Sequence, residues 1–178
     1  SSQILVGSLF LVRFFAFFLL YLIFVNLVEV KQLKLWSNLL IFVGVILAIL
    51  GFFQLIFFYD LSFLQAAGFD PHIGRLVSTF LDPNFFGGFQ VLILNLTLAQ
   101  IFETKDKKLL IAVILLFFSI VLTFSRSSYL ALFVSILLFG ILKSKSLAII
   151  VFGAFFLLTP AIPRIFERVI GAVTFDVT

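Results

Sequence analysis

Residues 35–58 read LWSNLLIFVGVILAILGFFQLIFF, a stretch without a single charged side chain. A helix needs about 20 mostly apolar residues to cross the hydrocarbon core of a bilayer, so this stretch is long enough. The run is continuous rather than alternating in polarity, which indicates a helix and not a barrel strand. Five further apolar segments follow the same pattern, at residues 4–28, 84–102, 109–125, 127–142 and 146–162. The sequence therefore predicts an all-α integral membrane protein, a polytopic bundle of about six transmembrane helices within residues 1–162.

The overall composition supports the same class. Hydrophobic residues make up 63% of the chain and charged residues 11%, whereas soluble domains average about 45–50% and about 25%. A soluble domain is therefore excluded, and the lipid bilayer is the first expected partner. The net charge of +4 does not indicate nucleic-acid binding, because no basic patch is interleaved with exposed aromatics. The absence of cysteine excludes disulfides and thiolate metal sites, and we expect neither a metal nor a cofactor.

Lysine and arginine occupy different polar breaks. Three alternate breaks hold all the lysines: Lys31, Lys34, Lys105, Lys107, Lys108, Lys143 and Lys145. Positive residues mark cytoplasmic loops, which predicts that these breaks lie inside the cell. Residues 59–83 and 125–128 are then extracytoplasmic, as is 163–178, which begins a further outer loop. The chain starts at Ser1 and contains no methionine, so we expect it to be an internal piece of a longer protein.

The first outer stretch of interest is RLVSTFLDPN, residues 75–84. Asp82 followed by Pro83 is typical of a helix start, since the carboxylate caps free N–H groups and proline suits the first helical position. The N-terminus of that helix carries a partial positive charge, and with Arg75 beside it the stretch predicts an anion site. Asn84, Gly88 and Asn95 are expected to share a polar face turned into the bundle.

The second outer stretch is LTFSRSS, residues 122–128. If the fourth helix continues to Arg126, then Ser119, Thr123 and Arg126 form one stripe along it. Ser127 or Ser128 is then expected to cap the fifth helix. Two outward helix N-termini and two arginines, Arg75 and Arg126, would converge near the outer membrane surface.

Each candidate residue also has a purely structural interpretation. Arg75 is equally able to pair with Asp70 or Asp82, and Arg126 to serve as an interfacial anchor. Arg13 lies inside the first apolar segment, where an unpaired arginine costs about 2.5–3.5 kcal/mol. That cost indicates a partner: a bound anion, a water-filled cavity, backbone carbonyls or the interface reached by snorkelling.

The remaining polar and small residues allow simpler readings. His72 is the only histidine, and it is either a general base on the outer loop or a solvated bystander. Arg164 and Arg168 are expected to anchor an interfacial helix. Small residues are expected to permit close helix contacts, namely Gly44, Ala48, Gly51, Gly87 and Gly88. Hydrogen bonds between helices, rather than ligand contacts, are expected for Gln54, Gln90 and Asn95.

At the two outer stretches the chain resembles the O-antigen ligase and O-antigen polymerase family of bacterial inner-membrane proteins. The resemblance rests on R-x-x-STF-x-DPN at residues 75–84 and on LTFSRSS at residues 122–128, in matching order. Weaker matches are GFFQ at residues 51–54 and the intramembrane Arg13. The resemblance covers about residues 10–178 and implies a multi-pass, GT-C-like helical fold in the plasma membrane.

The resemblance also implies an activity. Such proteins take part in lipopolysaccharide and polysaccharide biosynthesis, transferring a glycan from undecaprenyl or another polyprenyl pyrophosphate to a glycan, lipid or protein acceptor hydroxyl without a metal. Arg75 and Arg126 would stabilise the pyrophosphate, with Arg13 as a further ligand. Polar residues of the same stretches would contact substrate, namely Ser78, Asn84, Thr123 and Ser127. The family's activating histidine lies on a later outer loop, so a piece ending at Thr178 would lack it; His72 is the alternative base here.

Two other functional classes remain open at this stage. A transporter or channel with an extracytoplasmic anion site would also place arginines outside, but it requires a polar path through the bilayer. The polar groups of this chain cluster toward the predicted outer half. A non-catalytic membrane subunit is the third class, and it leaves Arg13 without an explanation.

Overall fold

The computed structural model describes residues 2–143 together with residues 146, 149 and 153. In this described part the long elements are five helices: α1 (Ser2–Leu27), α2 (Leu33–Phe57), α3 (Pro83–Thr104), α4 (Leu109–Val121) and α5 (Arg126–Leu142). Short 3₁₀ turns occur at Val30–Gln32, Ser62–Ala67 and Ser78–Phe80. The described residues contain no β-strand, only an isolated bridge between Asp60 and Ile73. The all-helical prediction is therefore confirmed for this part of the chain.

The helices occupy the positions of five predicted apolar segments, with one clear difference. The fourth helix ends at Val121 instead of continuing to Arg126, because the chain turns at Leu122–Phe124. The predicted stripe of Ser119, Thr123 and Arg126 along one helix is therefore wrong. The predicted sixth segment, 146–162, lies outside the described residues apart from isolated positions. The tail 163–178, with Arg164 and Arg168, lies outside them entirely.

Two helical stretches are long and apolar enough to cross a membrane, Val30–Phe57 and Pro83–Thr104. Three others are apolar but shorter: Leu11–Leu27, Leu109–Val121 and Arg126–Leu142. Many large apolar side chains on α1 and α2 are exposed, including Phe17 and Phe42. In water such a surface would favour association, whereas in lipid it is the expected outer face. A bundle of six spans stays a prediction.

The chain divides into two compact units, and the first comprises residues up to Leu39. It contains α1, the 3₁₀ turn and the first residues of α2. The rings of Phe24 and Trp36 meet edge to face with centroids 6.3 Å apart. At the turn, Lys31 Nζ lies 2.6 Å from Glu29 Oε2, an exposed pair that contributes little to stability. Arg13 is an exposed residue of α1 within this unit.

The second unit, from Leu40 onward, is built around α3. Its apolar core joins α3 to α4 and α5 through side chains that exclude water almost completely, among them Ile93, Leu116, Ile120 and Leu132. Gln90 lies within this helix packing and donates from Nε2 to the carbonyl of Gly44 on α2, at 3.1 Å. This bond confirms the interhelical role expected for Gln90.

The small residues of α2 form the contact face that the sequence predicts. Gly44, Ala48 and Gly51 are all buried. A Cβ atom built on Gly44 would lie 2.6 Å from Cγ2 of Ile93, and one on Gly51 would collide with the Leu76 side chain. Glycine is therefore required at these positions because α2 packs directly on α3 and on the loop that follows α2.

We expect Gly44→Ala to lower the free energy of unfolding by about 1–3 kcal/mol, since the added methyl overpacks a β-branched side chain with little freedom to move. Gly88→Ala on α3 is the matched control, because nothing lies within 4 Å of its added Cβ. That variant should gain about 0.5–1 kcal/mol from helix propensity. Denaturant titration in micelles measures both changes, and equal stability of the two variants would contradict the packing assigned to Gly44.

Candidate functional site

The N-terminus of α3 is fixed by the DPN sequence, as predicted. Asp82 is the N-cap and its Oδ1 accepts from the backbone N–H groups of Asn84 at 2.7 Å and Phe85 at 2.9 Å. Pro83 takes the first helical position. Leu81, just before the cap, adopts a left-handed conformation with φ of 57°, which turns the chain sharply into the helix. The helix start and its cap are confirmed.

The α4–α5 connection is a tight turn built from the second stretch. Thr123 N donates to the Ile120 carbonyl at 3.2 Å, and Phe124 takes a positive φ of 50°. Ser125 is the N-cap of α5, and its Oγ accepts from Ser128 N at 3.2 Å. The predicted cap at Ser127 or Ser128 is wrong, since α5 already begins at Arg126. Across the turn, the Tyr129 hydroxyl donates to the Val121 carbonyl at 2.6 Å.

The N-termini of α3 and α5 meet through a set of short polar side chains. Ser125 Oγ donates to Asn84 Oδ1 at 2.7 Å and accepts from Ser128 Oγ at 2.9 Å. Ser127 Oγ lies 3.0 Å from Ser125 Oγ and 3.4 Å from Asn84 Oδ1. We call Asn84, Ser125, Ser127 and Ser128 the hydroxyl cluster. It brings the positive ends of two helix dipoles to one place.

Gly87 makes this approach possible. A Cβ atom at Gly87 would collide with Ser128 Oγ and would lie 3.3 Å from Thr123 Oγ1. The neighbouring Gly88 is exposed and meets nothing, so the close contact predicted for Gly88 is wrong. The predicted inward polar face of α3 is also wrong: Asn84 is exposed, and Asn95 donates to Val91 of its own helix.

Arg75 connects the two outer stretches. Its Nε donates to the Thr123 carbonyl at 2.9 Å and its Nη2 to the Phe124 carbonyl at 3.1 Å. The backbone supports the same alignment, since Leu76 N donates to the Leu122 carbonyl at 3.0 Å. The guanidinium fork thus holds the turn that immediately precedes Arg126. The sequence suggested that Arg75 and Arg126 would lie near each other but not that backbone carbonyls would join their segments.

Gln54 and Ser78 attach the loop to α2. Gln54 Oε1 accepts from Val77 N at 3.0 Å and from Ser78 N at 3.4 Å, and its Nε2 donates to the Arg75 carbonyl at 3.4 Å. Ser78 Oγ donates to the Leu47 carbonyl at 2.8 Å. Gln54 therefore bonds to the loop and not to another helix, contrary to expectation.

The candidate site residues differ in accessibility. Ser78 and Thr123 are buried, and Thr123 Oγ1 donates to the Ile120 carbonyl at 2.7 Å. Asn84 and Ser127 are exposed, and Arg126 is half-buried at the first position of α5. The structure gives Ser78 and Thr123 a packing role, while the substrate contacts assigned to all four polar residues stay predictions. Arg13 belongs to the first compact unit, where it is exposed on α1.

His72 lies in the wall of an open cleft of about 300 Å³ beside the start of α3. The lining residues are Gly68, Phe69, Asp70, His72, Phe80, Leu81, Asp82 and Phe85. His72 is only 8% exposed, so the solvated bystander interpretation is wrong. Burial and the nearby Arg75 charge lower the pKa of His72, while Asp82 and Asp70 act in the opposite direction. Among the described residues, no three histidines, cysteines or acids cluster as metal ligands do.

Sequence reasoning missed the residues that organise this site. Ser125 and Gln54 carry many of the described contacts, yet neither is a predicted site residue, whereas the close contact predicted for Gly87 is confirmed. A usable signal existed for Ser125, because a serine that precedes a polar turn and an apolar run is typical of an N-cap. The contacts of Gln54 join segments distant in sequence, and local patterns do not report them.

We expect Arg75→Ala to destabilise the second unit by about 1.5–3 kcal/mol, the range for hydrogen bonds to a charged group. Arg75→Lys should recover only part of this, because an ammonium does not reproduce the planar fork. Thermal unfolding in detergent measures the effect, with exposed Lys107→Ala as control. A stability of Arg75→Ala equal to that of the wild type would show that the fork does not hold the turn.

The lowered pKa of His72 predicts a pH dependence of stability. The unfolded chain binds a proton near pH 6.5, whereas the folded chain binds it only at lower pH. The neutral imidazole therefore contributes full stability above about pH 6.5, and stability is lost as the pH falls through this value. The thermal midpoint should fall more between about pH 7.5 and about pH 5.5 in the wild type than in His72→Gln. Parallel curves would contradict the assignment.

Comparisons with family models, with curated proteins and with solved structures find no match for this chain.

Proposed function

We propose that the chain is the donor-binding core of an enzyme in a bacterial plasma membrane. It would transfer a glycan from a polyprenyl-pyrophosphate carrier to an acceptor hydroxyl at the extracytoplasmic face, in the manner of O-antigen ligases and polymerases. The observation that carries the proposal is the meeting of the α3 and α5 N-termini at the hydroxyl cluster, where Ser125 bonds to Asn84. The arginine at the first position of α5, Arg126, belongs to the same place.

The chemistry of the donor explains why this arrangement is suitable. The acceptor oxygen attacks the anomeric carbon of the sugar, and the bond from that carbon to the pyrophosphate oxygen breaks. The electron pair of the broken bond leaves with the pyrophosphate, and the acceptor proton passes to a base. Since pyrophosphate is already a good leaving group, the protein mainly has to stabilise the charge that develops on it.

The described groups would supply that stabilisation in two forms. Two helix N-termini converge here, and each carries a partial positive charge that favours an anion beside the caps Asp82 and Ser125. Arg126 adds a full positive charge and a planar fork that matches phosphate oxygens. Arg75 acts on the same region by holding the turn before Arg126, beside its expected role as a phosphate ligand.

His72 suits the role of a base in one respect. A buried imidazole with a lowered pKa is neutral at physiological pH and is therefore able to accept a proton. Its cleft adjoins Asp82, the cap of the helix that carries Asn84. We favour His72 less as the base than the histidine that the family resemblance implies on another outer loop.

We expect Arg126→Ala to lower the rate of glycan transfer by about 10- to 100-fold, the equivalent of one lost charge-assisted bond. Arg126→Lys should retain part of the activity because the charge remains. The assay uses membranes that contain the full gene product and an undecaprenyl-pyrophosphate-linked glycan. Lys107→Ala, which removes a positive charge from the predicted cytoplasmic loop, is the matched control. A transfer rate in Arg126→Ala equal to that of the wild type would overturn the proposed function.

A further inference from the structure

The cleft beside α3 combines aromatic rings, carboxylates and a histidine. Three aromatic rings line it, from Phe69, Phe80 and Phe85. Two carboxylates, Asp70 and Asp82, lie in the same wall, together with the nearly buried His72. Small-molecule sites have volumes of about 300–1,000 Å³, so this cleft matches the small end of that range. It suits a single polar ring rather than an extended chain.

Three lining residues, Phe80, Asp82 and His72, are held in place by contacts that do not occupy all of their ligand-binding atoms. The Phe80 ring packs against the rings of Phe86 and Phe89, with centroids 5.8 Å and 5.5 Å away. Asp82 uses Oδ1 to cap α3, and a carboxylate has further acceptor positions. The backbone carbonyl of His72 accepts from Leu61 N at 3.0 Å, which fixes its position without using the imidazole.

The imidazole of His72 is the observation that points to a ligand. It is more than nine-tenths buried and lines the cleft, and no described residue forms a hydrogen bond with its ring. A neutral imidazole offers one N–H donor and one nitrogen acceptor, and buried polar groups of this kind are normally satisfied. A ligand in the cleft that both donates and accepts would therefore satisfy both ring nitrogens of His72.

This capacity of the imidazole favours one of the two ligand classes that suit aromatic and acidic linings. An organic ammonium ion is attracted to aromatic faces and carboxylates, but it has no lone pair for an imidazole N–H. A sugar ring has hydroxyl groups that donate to Asp70 or Asp82 and also accept from His72. Its C–H face is apolar and stacks on exposed rings such as Phe85, which is 74% exposed.

We propose that this cleft binds one sugar ring, with the phenylalanines against its apolar face and with Asp70, Asp82 and His72 on its hydroxyl groups. The proposal that a sugar ring binds here depends only on the residues that line the cleft. Its identification as a sugar of the lipid-linked donor or of the acceptor rests on the proposed function. The cleft meets the hydroxyl cluster through α3, whose first turn carries both Phe85 and Asn84.

The test measures binding without transfer. The full chain in lipid nanodiscs is titrated with methyl glycosides of hexoses and of N-acetylhexosamines, and bound ring protons are detected by saturation-transfer NMR. We expect binding of at least one glycoside, and Phe85→Ala should weaken it by about 3- to 10-fold. His72→Phe, which removes both hydrogen-bonding atoms, should abolish it, whereas His72→Gln should retain part of it. Phe42→Ala is the matched control, because Phe42 is 62% exposed on α2 away from the cleft.

Each outcome decides the proposal. Glycoside binding that is weakened in Phe85→Ala, lost in His72→Phe and kept in Phe42→Ala supports it. No glycoside binding, binding unchanged in Phe85→Ala, or binding of tetramethylammonium alone overturns it. Phe85 is largely exposed, so its removal does not threaten folding.

The failure of this proposal is distinguishable from the failure of the proposed function. Transfer that depends on Arg126 without glycoside binding overturns the cleft assignment and leaves the enzyme assignment intact. Glycoside binding together with a transfer rate that is unchanged in Arg126→Ala supports the cleft assignment and overturns the proposed function. Competition by the lipid-linked glycan, compared with competition by the acceptor glycan, identifies which substrate supplies the ring.

Discussion

The candidate site depends on the bonds from the Arg75 guanidinium to the carbonyls of Thr123 and Phe124. These carbonyls belong to the turn between α4 and α5, and buried carbonyls require hydrogen-bond partners. A side chain from a loop almost fifty residues earlier supplies them. The charge of the arginine strengthens both bonds, and its planar shape matches two neighbouring acceptors. Together with the Leu76 backbone bond and the hydroxyl cluster, this contact aligns the two outer stretches.

The site region also concentrates unfavourable backbone conformations. Four non-glycine residues of the described chain have positive φ, and three of them, Ser78, Leu81 and Phe124, lie in the loop and turn that surround the hydroxyl cluster. Such conformations cost on the order of 1 kcal/mol or more each and persist only where neighbouring contacts impose them. Gln54 bonds to Ser78 and Arg75 bonds to Phe124, so two of these residues are held by such contacts. Strain of this kind clusters at binding sites, which agrees with the function proposed for the region.

The helices could be predicted from the sequence because their signals are local. Continuous apolar runs located five helices, and the Asp82–Pro83 pair located the start of α3 to the residue. The end of α4 could not be predicted, since Leu122–Phe124 contains no glycine, proline or charge. The carbonyls of this turn are bound by Arg75 and Leu76, residues distant in sequence. For the same reason Ser125, and not a later serine, became the cap of α5.

Within the candidate site, residue chemistry was more predictable than residue contacts. The sequence indicated which residues have chemistry suited to an anion, and the structure brings Arg75, Asn84 and Ser127 to the same pair of helix starts. It did not indicate that Ser78 and Thr123 turn inward, because their hydroxyls bond to carbonyls of α2 and α4. The cleft around His72 depends on aromatic rings from separate turns, and no sequence pattern reports such an assembly.

The bond from the Tyr129 hydroxyl to the Val121 carbonyl has a consequence for the energetics of ligand recognition. It closes the segment between α4 and α5 into a ring of covalent and hydrogen bonds, so the conformational entropy of that segment is already lost when the chain folds. A ligand that binds there does not have to order it again. Hydrogen-bond donors on a rigid segment need little reorientation as charge develops on a leaving group. Such preorganisation stabilises a transition state and not only a bound ligand.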